Sequence, residues 1–221
     1  MSRCRPPSPP AAAVFDCDGL LLDTEPLWTI GEERLFGRYG RAFTPDDKRA
    51  LLGRSGPAAG LVLARLLEQP GRGGSLVEEL LDACQEAMAD ATPMPGARDL
   101  VDRLRGWLPL AAASNSPRRL LEPALRGAGF GPEFEAVLAV EDVERPKPAP
   151  DLYLAACRRL GVDPSRTVAL EDSPTGVASA RAAGLWVIGV PSYPGVELDA
   201  DLVVHSLADP RVAATLGLPG A

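Results

Sequence analysis

The chain has 221 residues, 46% of them hydrophobic, enough for one large domain or a main domain with a smaller companion, and too apolar for a disordered chain. A formal charge of -7 and a pI near 4.9 exclude the basic field that nucleic acid or an anionic membrane surface would need, so any phosphate site must be local. Four cysteines, Cys4, Cys17, Cys84 and Cys157, form no CxxC pair and have no histidine-rich company, which speaks against zinc or a disulfide framework and for a reducing, cytoplasmic setting.

In chain order, MSRCRPPSPP reads as a frayed tail over residues 1–10, and the apolar AAAVF behind it is too short for a secretory core before Asp16 interrupts it. No segment approaches the length of a membrane span. AAAVF itself reads as a strand. So do LPLAAAS from Leu108, EAVLAV from Glu135, TVALED from Thr167, WVIGV from Trp186 and LVV from Leu202. Helical patterns alternate with these runs, which makes the fold class α/β, a parallel sheet with crossover helices.

From Glu25 to about Thr92 the rhythm breaks. No strand is evident there, and Trp28, Leu35, Phe36 and Tyr39 share roughly one helical face. Residues 25–92 therefore read as an inserted helical unit between residues 11–24 and 93–221 of the main domain. DTEP is its outgoing linker, PGRGG at Pro70 an internal loop and TPMPG at Thr92 the return. Further on, SNSPRRLLEPALRGAG puts Ser116 as a helix cap, Pro117 at the first helical position and Gly127 or Gly129 at the end. SPTGVASARAAG repeats that grammar with Ser173, Pro174 and Gly184.

Polar clusters close several of the strands. In VFDCDG, Asp16 and Asp18 point to one side of the strand and Cys17 to the other. Two residues of strand rise separate the acids by about 6.6 Å, and at an effective dielectric of about 20 two full charges there repel by about 2.5 kcal/mol. Something cationic must offset that repulsion. Gly19 lets the backbone turn sharply behind them. Ser114-Asn115 closes AAAS ahead of a helix whose amides favour an anion, Lys147 stands in the proline-stiffened RPKPAPD loop, and Glu171-Asp172 closes VALEDS. Singly, each has a bland reading beside the functional one: a strand-end turn, a helix cap, a solvated lysine, and a solvated loop or cap. Together they sit where open parallel sheets bind ligands, outside the carboxyl ends of the strands.

DCDGLLLDTE, SNS, RPKP and EDS, in that order, resemble the haloacid dehalogenase superfamily of phosphotransferases over essentially all the chain beyond the tail. DGLLLDTEPLW and the helical insertion resemble its beta-phosphoglucomutase-like branch of sugar-phosphate phosphatases. The resemblance implies a Rossmann-like, doubly wound core with residues 25–92 as a helical cap that closes over the site. It implies Mg2+ held by Asp16, the Asp18 carbonyl and Asp172, with Glu171 in support or ligating through water, a hard-oxygen set that suits this ion. It further implies Asp16 as the nucleophile that forms an aspartyl-phosphate, Asp18 as general acid and then base, and Ser114, the amide near Asn115 and Lys147 as groups that bind phosphoryl oxygens.

Dehalogenases of the superfamily lack an acid two residues after the nucleophile, so Asp18 favours phosphoryl chemistry. The mutases that the chain resembles carry a histidine four residues after the threonine of the first motif. Trp28 stands there, which favours hydrolysis over the alternative of a phosphomutase; a catalytically silent binding relative is a third reading. The cap implies a small phosphate ester as partner. Its candidate residues are Trp28, for packing or sugar stacking, Glu25, and Arg54 in LLGRSG, either solvated or touching a substrate anion; Arg54 alone is retained. His205, the one histidine, lies outside the motifs and leaves a serine-hydrolase reading without its base. A monomer is the default.

Overall fold

The computed structural model describes residues 6–51, 54, 56–193 and 195–219. Of the tail expected over 1–10, residues 1–5, and Cys4 with them, lie outside the described residues. Pro10 is buried, and the next amide, that of Ala11, donates to the Arg166 carbonyl at 2.7 Å.

In chain order the strands are β1 (Ala12–Phe15), β2 (Leu22–Asp23), β3 (Thr92–Pro93), β4 (Leu110–Ala113), β5 (Ala136–Leu138), β6 (Thr167–Glu171), β7 (Trp186–Gly189) and β8 (Leu202–Val203). The main helices are α1 (Glu25–Arg38), α2 (Pro45–Leu51), α3 (Gly56–Leu66), α4 (Gly73–Gln85), α5 (Ala97–Leu104), α6 (Arg118–Gly127), α7 (Asp151–Leu160), α8 (Pro174–Ala182) and α9 (Pro210–Thr215). All six apolar runs read as strands join one sheet in the order β5-β4-β1-β6-β7-β8, with every pair parallel.

The period of two sorts the strand side chains onto two buried faces. Val14, Ala111, Ala113, Ala169 and Val187 meet Leu152, Tyr153 and Ala156 of α7 and Val177 and Ala180 of α8. Ala13, Phe15, Ala112, Val168, Leu170 and Ile188 share the other cluster with Leu100 of α5, Leu121 of α6 and Val212 of α9. A sheet covered on both faces needs apolar residues at consecutive positions, which is why these strands read as unbroken runs.

The described residues between Glu25 and Asp90 form helices and turns only. Trp28 and Tyr39 pack half-buried against the cluster that holds Leu35 and Phe36. Antiparallel β2 and β3 bracket this stretch, with Leu22 opposite Pro93 and Asp23 opposite Thr92. Two-residue strands are too short to show as a period, so the sequence presents them only as linkers. No helix among the described residues is long and apolar enough to cross a membrane.

Of the two expected helix starts, one is corrected. Ser173 caps α8, its Oγ accepting the Gly176 amide at 3.1 Å, with Pro174 first in the helix and Gly184 beyond its end at φ +87°. Ser116 does not cap α6. Pro117 stands outside the helix, which begins at Arg118, and the Ser116 hydroxyl donates instead to Asp18 at 2.8 Å. Extended Pro117 separates Ser116 from the helix, and the first helical amide, that of Arg118, is accepted by the Glu141 carboxylate at 3.1 Å.

Candidate active site

Neighbouring strands β4, β1 and β6 bring their carboxyl ends together, and with them Ser114, Asp16 and the Glu171-Asp172 step. The Asp16 amide continues the ladder onto the Leu170 carbonyl at 3.0 Å, after which the chain turns: the Cys17 carbonyl collects the amides of Leu20, Leu21 and Leu22. Gly19 takes φ +82°, and a side chain on it would overlap the Asp172 carboxylate, so glycine is required twice over.

Lys147 arrives from the loop before α7. The Asn115 side chain fastens that loop, accepting the Lys147 amide at 2.9 Å and donating to its carbonyl at 3.1 Å. The lysine's Nζ donates to Asp16 Oδ1 at 2.5 Å, to Glu171 Oε1 at 2.7 Å and to the Ala113 carbonyl at 2.8 Å. Three protons thus meet three acceptors. Burial alone would lower the ammonium's pKa, but the charges of Asp16 and Glu171 outweigh it and raise it, so the group stays protonated.

Asp18 is held separately. Thr24 Oγ1 donates to its Oδ1 at 2.8 Å, while Ser114 Oγ at 2.9 Å and Ser116 Oγ at 2.8 Å donate to its Oδ2. The two acids of the first motif therefore part company, Asp16 on an ammonium and Asp18 on hydroxyls. Repulsion between them is relieved by partition as well as by charge. The Ser114 hydroxyl also accepts the Ser116 amide at 2.8 Å.

Glu171 is fully buried and fully engaged. Its Oε1 takes Lys147 and, at 2.6 Å, the phenol of Tyr153. Its Oε2 takes the Ser173 hydroxyl at 3.2 Å and the amides of Asp172 at 3.2 Å and Ser173 at 3.4 Å. The carboxylate lies against the N-terminus of α8, where the helix dipole favours negative charge. Gly176 makes room for it: a β-carbon there would overlap the carboxylate.

Asp16, Glu171 and Asp172 each present a carboxylate oxygen within 4.8 Å of the others, all three residues buried. Burial pushes the Asp16 carboxyl well up against the opposing pull of Lys147, and burial with the Glu171 charge pushes Asp172 up to about 7. With Asp18, four carboxylates face one lysine, a formal excess of three negative charges (four minus one). Hard, crowded, undercompensated oxygens fit a divalent cation such as Mg2+.

Arg54 is not drawn into this cluster: it is exposed, and its Nε donates to the Ala50 carbonyl at 2.9 Å. Glu25 pairs with Lys48 at 2.6 Å, which also reaches Glu32 at 2.8 Å. His205 is exposed. Thr24, Ser116 and Tyr153 touch the clustered acids and were not singled out as site residues from the sequence. No local pattern marks Tyr153, because the need for its phenol arises only once Glu171 is buried and requires more donors than one lysine provides.

A family model described as haloacid dehalogenase-like hydrolase matches residues 10–184. The chain is 31% identical over 187 residues to the fructose-1-phosphate phosphatase YqaB of Escherichia coli K12, covering 81% of this chain and 96% of that protein. It is 34% identical over 223 residues to hexitol phosphatase B of the same organism, covering 93% and 96%. Its structure is similar to that of CbbY from Rhodobacter sphaeroides in complex with phosphate, with a TM-score of 0.80 at 30% identity, over 95% of this chain and 100% of the other.

Proposed function

The chain belongs to the haloacid dehalogenase-like hydrolases and is a phosphoric monoester hydrolase, and we propose that it hydrolyses small phosphorylated carbohydrates, with Mg2+, through a phosphorylated Asp16. The observation that carries this is the division of labour at the end of β1. One oxygen of Asp16 is pinned by Lys147, while Asp18 sits beside it in a hydroxyl cradle that suits a group exchanging protons.

In the first step an Asp16 oxygen attacks phosphorus in line. The bond from phosphorus to Asp16 forms, the bond to the ester oxygen breaks, and Asp18 gives that oxygen its proton. In the second, Asp18 takes a proton from water as the water oxygen attacks phosphorus and Asp16 leaves. Ser114, the amide near Asn115 and Lys147, which shares one of its protons, bind the phosphoryl oxygens. Asp16, Asp172 and the Asp18 carbonyl would hold Mg2+, with Glu171 behind them, and the bound ion supplies positive charge to the phosphoryl oxygens.

Residues 25–92 act as a cap on a core made of residues 11–24 and 93–221, with Arg54 as its substrate contact. The Thr24 hydroxyl on Asp18 ties the linker of that cap to the proton-transfer group. Trp28 at the position of the mutases' histidine supports hydrolysis over transfer within a sugar.

The test is phosphate release from a panel of ketose, aldose and hexitol phosphates with Mg2+ or with chelator. Metal-dependent release from sugar or sugar-alcohol monoesters is expected. Release from none of them, or conversion of glucose 1-phosphate to the 6-phosphate without free phosphate, would overturn the proposal.

A further inference from the structure

We propose that Tyr153 is a positioning residue, whose phenol holds Glu171 so that Lys147 stays on Asp16. This rests on the phosphatase reading for its effect on rate, and on geometry alone for its effect on the lysine.

Tyr153 lies in the first turn of α7, six residues beyond Lys147, with none of its surface exposed. Its hydroxyl donates to Glu171 Oε1 at 2.6 Å, and Lys147 Nζ stands 5.0 Å from the centre of its ring. Phenylalanine would fill the same apolar space, so the hydroxyl answers to Glu171 and not to packing. Glu171 Oε1 is shared between two donors, the ammonium and the phenol. Charge drawn toward the phenol weakens the pull of Glu171 on Lys147, and the ammonium stands closer to Asp16, at 2.5 Å, than to Glu171, at 2.7 Å. Without the phenol the glutamate competes harder for the lysine, and Asp16 is less firmly held for in-line attack. The ring contributes separately as a face against which the ammonium rests.

Y153F removes only the hydroxyl. The expected result is a folded protein with kcat lowered about tenfold, as for loss of a hydrogen bond to a charged group, and KM within about twofold, since Tyr153 touches no substrate. A second readout needs no turnover: the Lys147 ammonium resonance in nitrogen-detected NMR of the metal-free protein. Buried and triply hydrogen-bonded, that ammonium exchanges slowly, and in Y153F its resonance should move and broaden. Fluorotyrosine placed at position 153 keeps the shape and strengthens the donor, and should move the resonance opposite to the phenylalanine. Wild-type kcat in Y153F together with an unmoved resonance would overturn the proposal, as would a resonance indifferent to fluorotyrosine. If the wild-type protein cleaves no ester, the phosphatase reading falls, and the resonance still decides the role of Tyr153.

Discussion

Lys147 Nζ and Asp16 Oδ1 lie 2.5 Å apart, although 131 positions separate the two residues in the chain. A contact between such distant residues is made by topology: β4, β1 and β6 are neighbours, and the Lys147 loop is clamped to the end of β4 by Asn115. The pair is buried, so its electrostatics are strong and its loss would be severe.

Lys147→Met removes the charge between two buried carboxylates. Stripping one partner from such a pair destabilises by about 3 to 5 kcal/mol, and turnover should fall about a hundredfold or more. Urea unfolding beside a phosphate-release assay measures both. Stability within about 1 kcal/mol of wild type would mean that the ion pair is not formed.

Gly176→Ala places a methyl group where the Glu171 carboxylate lies. Overpacking of this kind costs about 1 to 3 kcal/mol, and the displaced carboxylate no longer anchors Lys147. A lower thermal midpoint together with reduced turnover is expected. A variant that melts and turns over like wild type would show that Glu171 has another place to go.

The excess of negative charge around Asp16, Glu171 and Asp172 predicts a response to metal. Chelator should stop phosphate release and Mg2+ restore it. Mg2+ should also raise the thermal midpoint of the wild-type protein, because a ligand that binds only the folded state stabilises it. Asp172→Asn should lose most of that rise. Full turnover in chelator would contradict the expected metal requirement.

Acid stability should depend in part on the start of α9. Asp209 caps that helix, and hydrogen bonds from the Arg211 side chain, then its amide, hold the carboxyl down at about 2. A depressed acid contributes stability that is present above its unfolded value of about 3.9 and lost as pH falls through its folded one. The urea midpoint of wild type relative to Asp209→Asn should therefore shrink between pH 4 and pH 2. A constant difference across that range would refute the assignment.

Much of the sheet was legible because buried parallel strands must be apolar without interruption, and the acids at their ends then stand out. The spacing of Asp16 and Asp18 also announced a need for compensating charge, which Lys147 meets for Asp16. What the pattern concealed is a matter of competition and distance. Ser116 reads as a cap by local grammar, yet Glu141, 23 positions beyond Arg118, takes the first amide of α6, and the Ser116 hydroxyl is left to donate to Asp18. Tyr153 was not read from the sequence at all, since only folding brings its phenol to Glu171, 18 positions away. The β2–β3 pair, two residues in each strand, carries no period at all. Arg54, exposed in the inserted helical unit, carries no pattern in the sequence that tells a solvated arginine from one that meets a substrate anion.

Turnover of an isotopically chiral phosphate ester tests the role of Asp16 most directly. Two successive in-line displacements, by Asp16 and then by water, return phosphorus to its starting configuration. Retention is expected, with acid-quenched protein carrying a phosphoryl group on Asp16. Inversion, with Asp16 unmodified, would mean that water attacks the ester directly and that Asp16 is not the nucleophile.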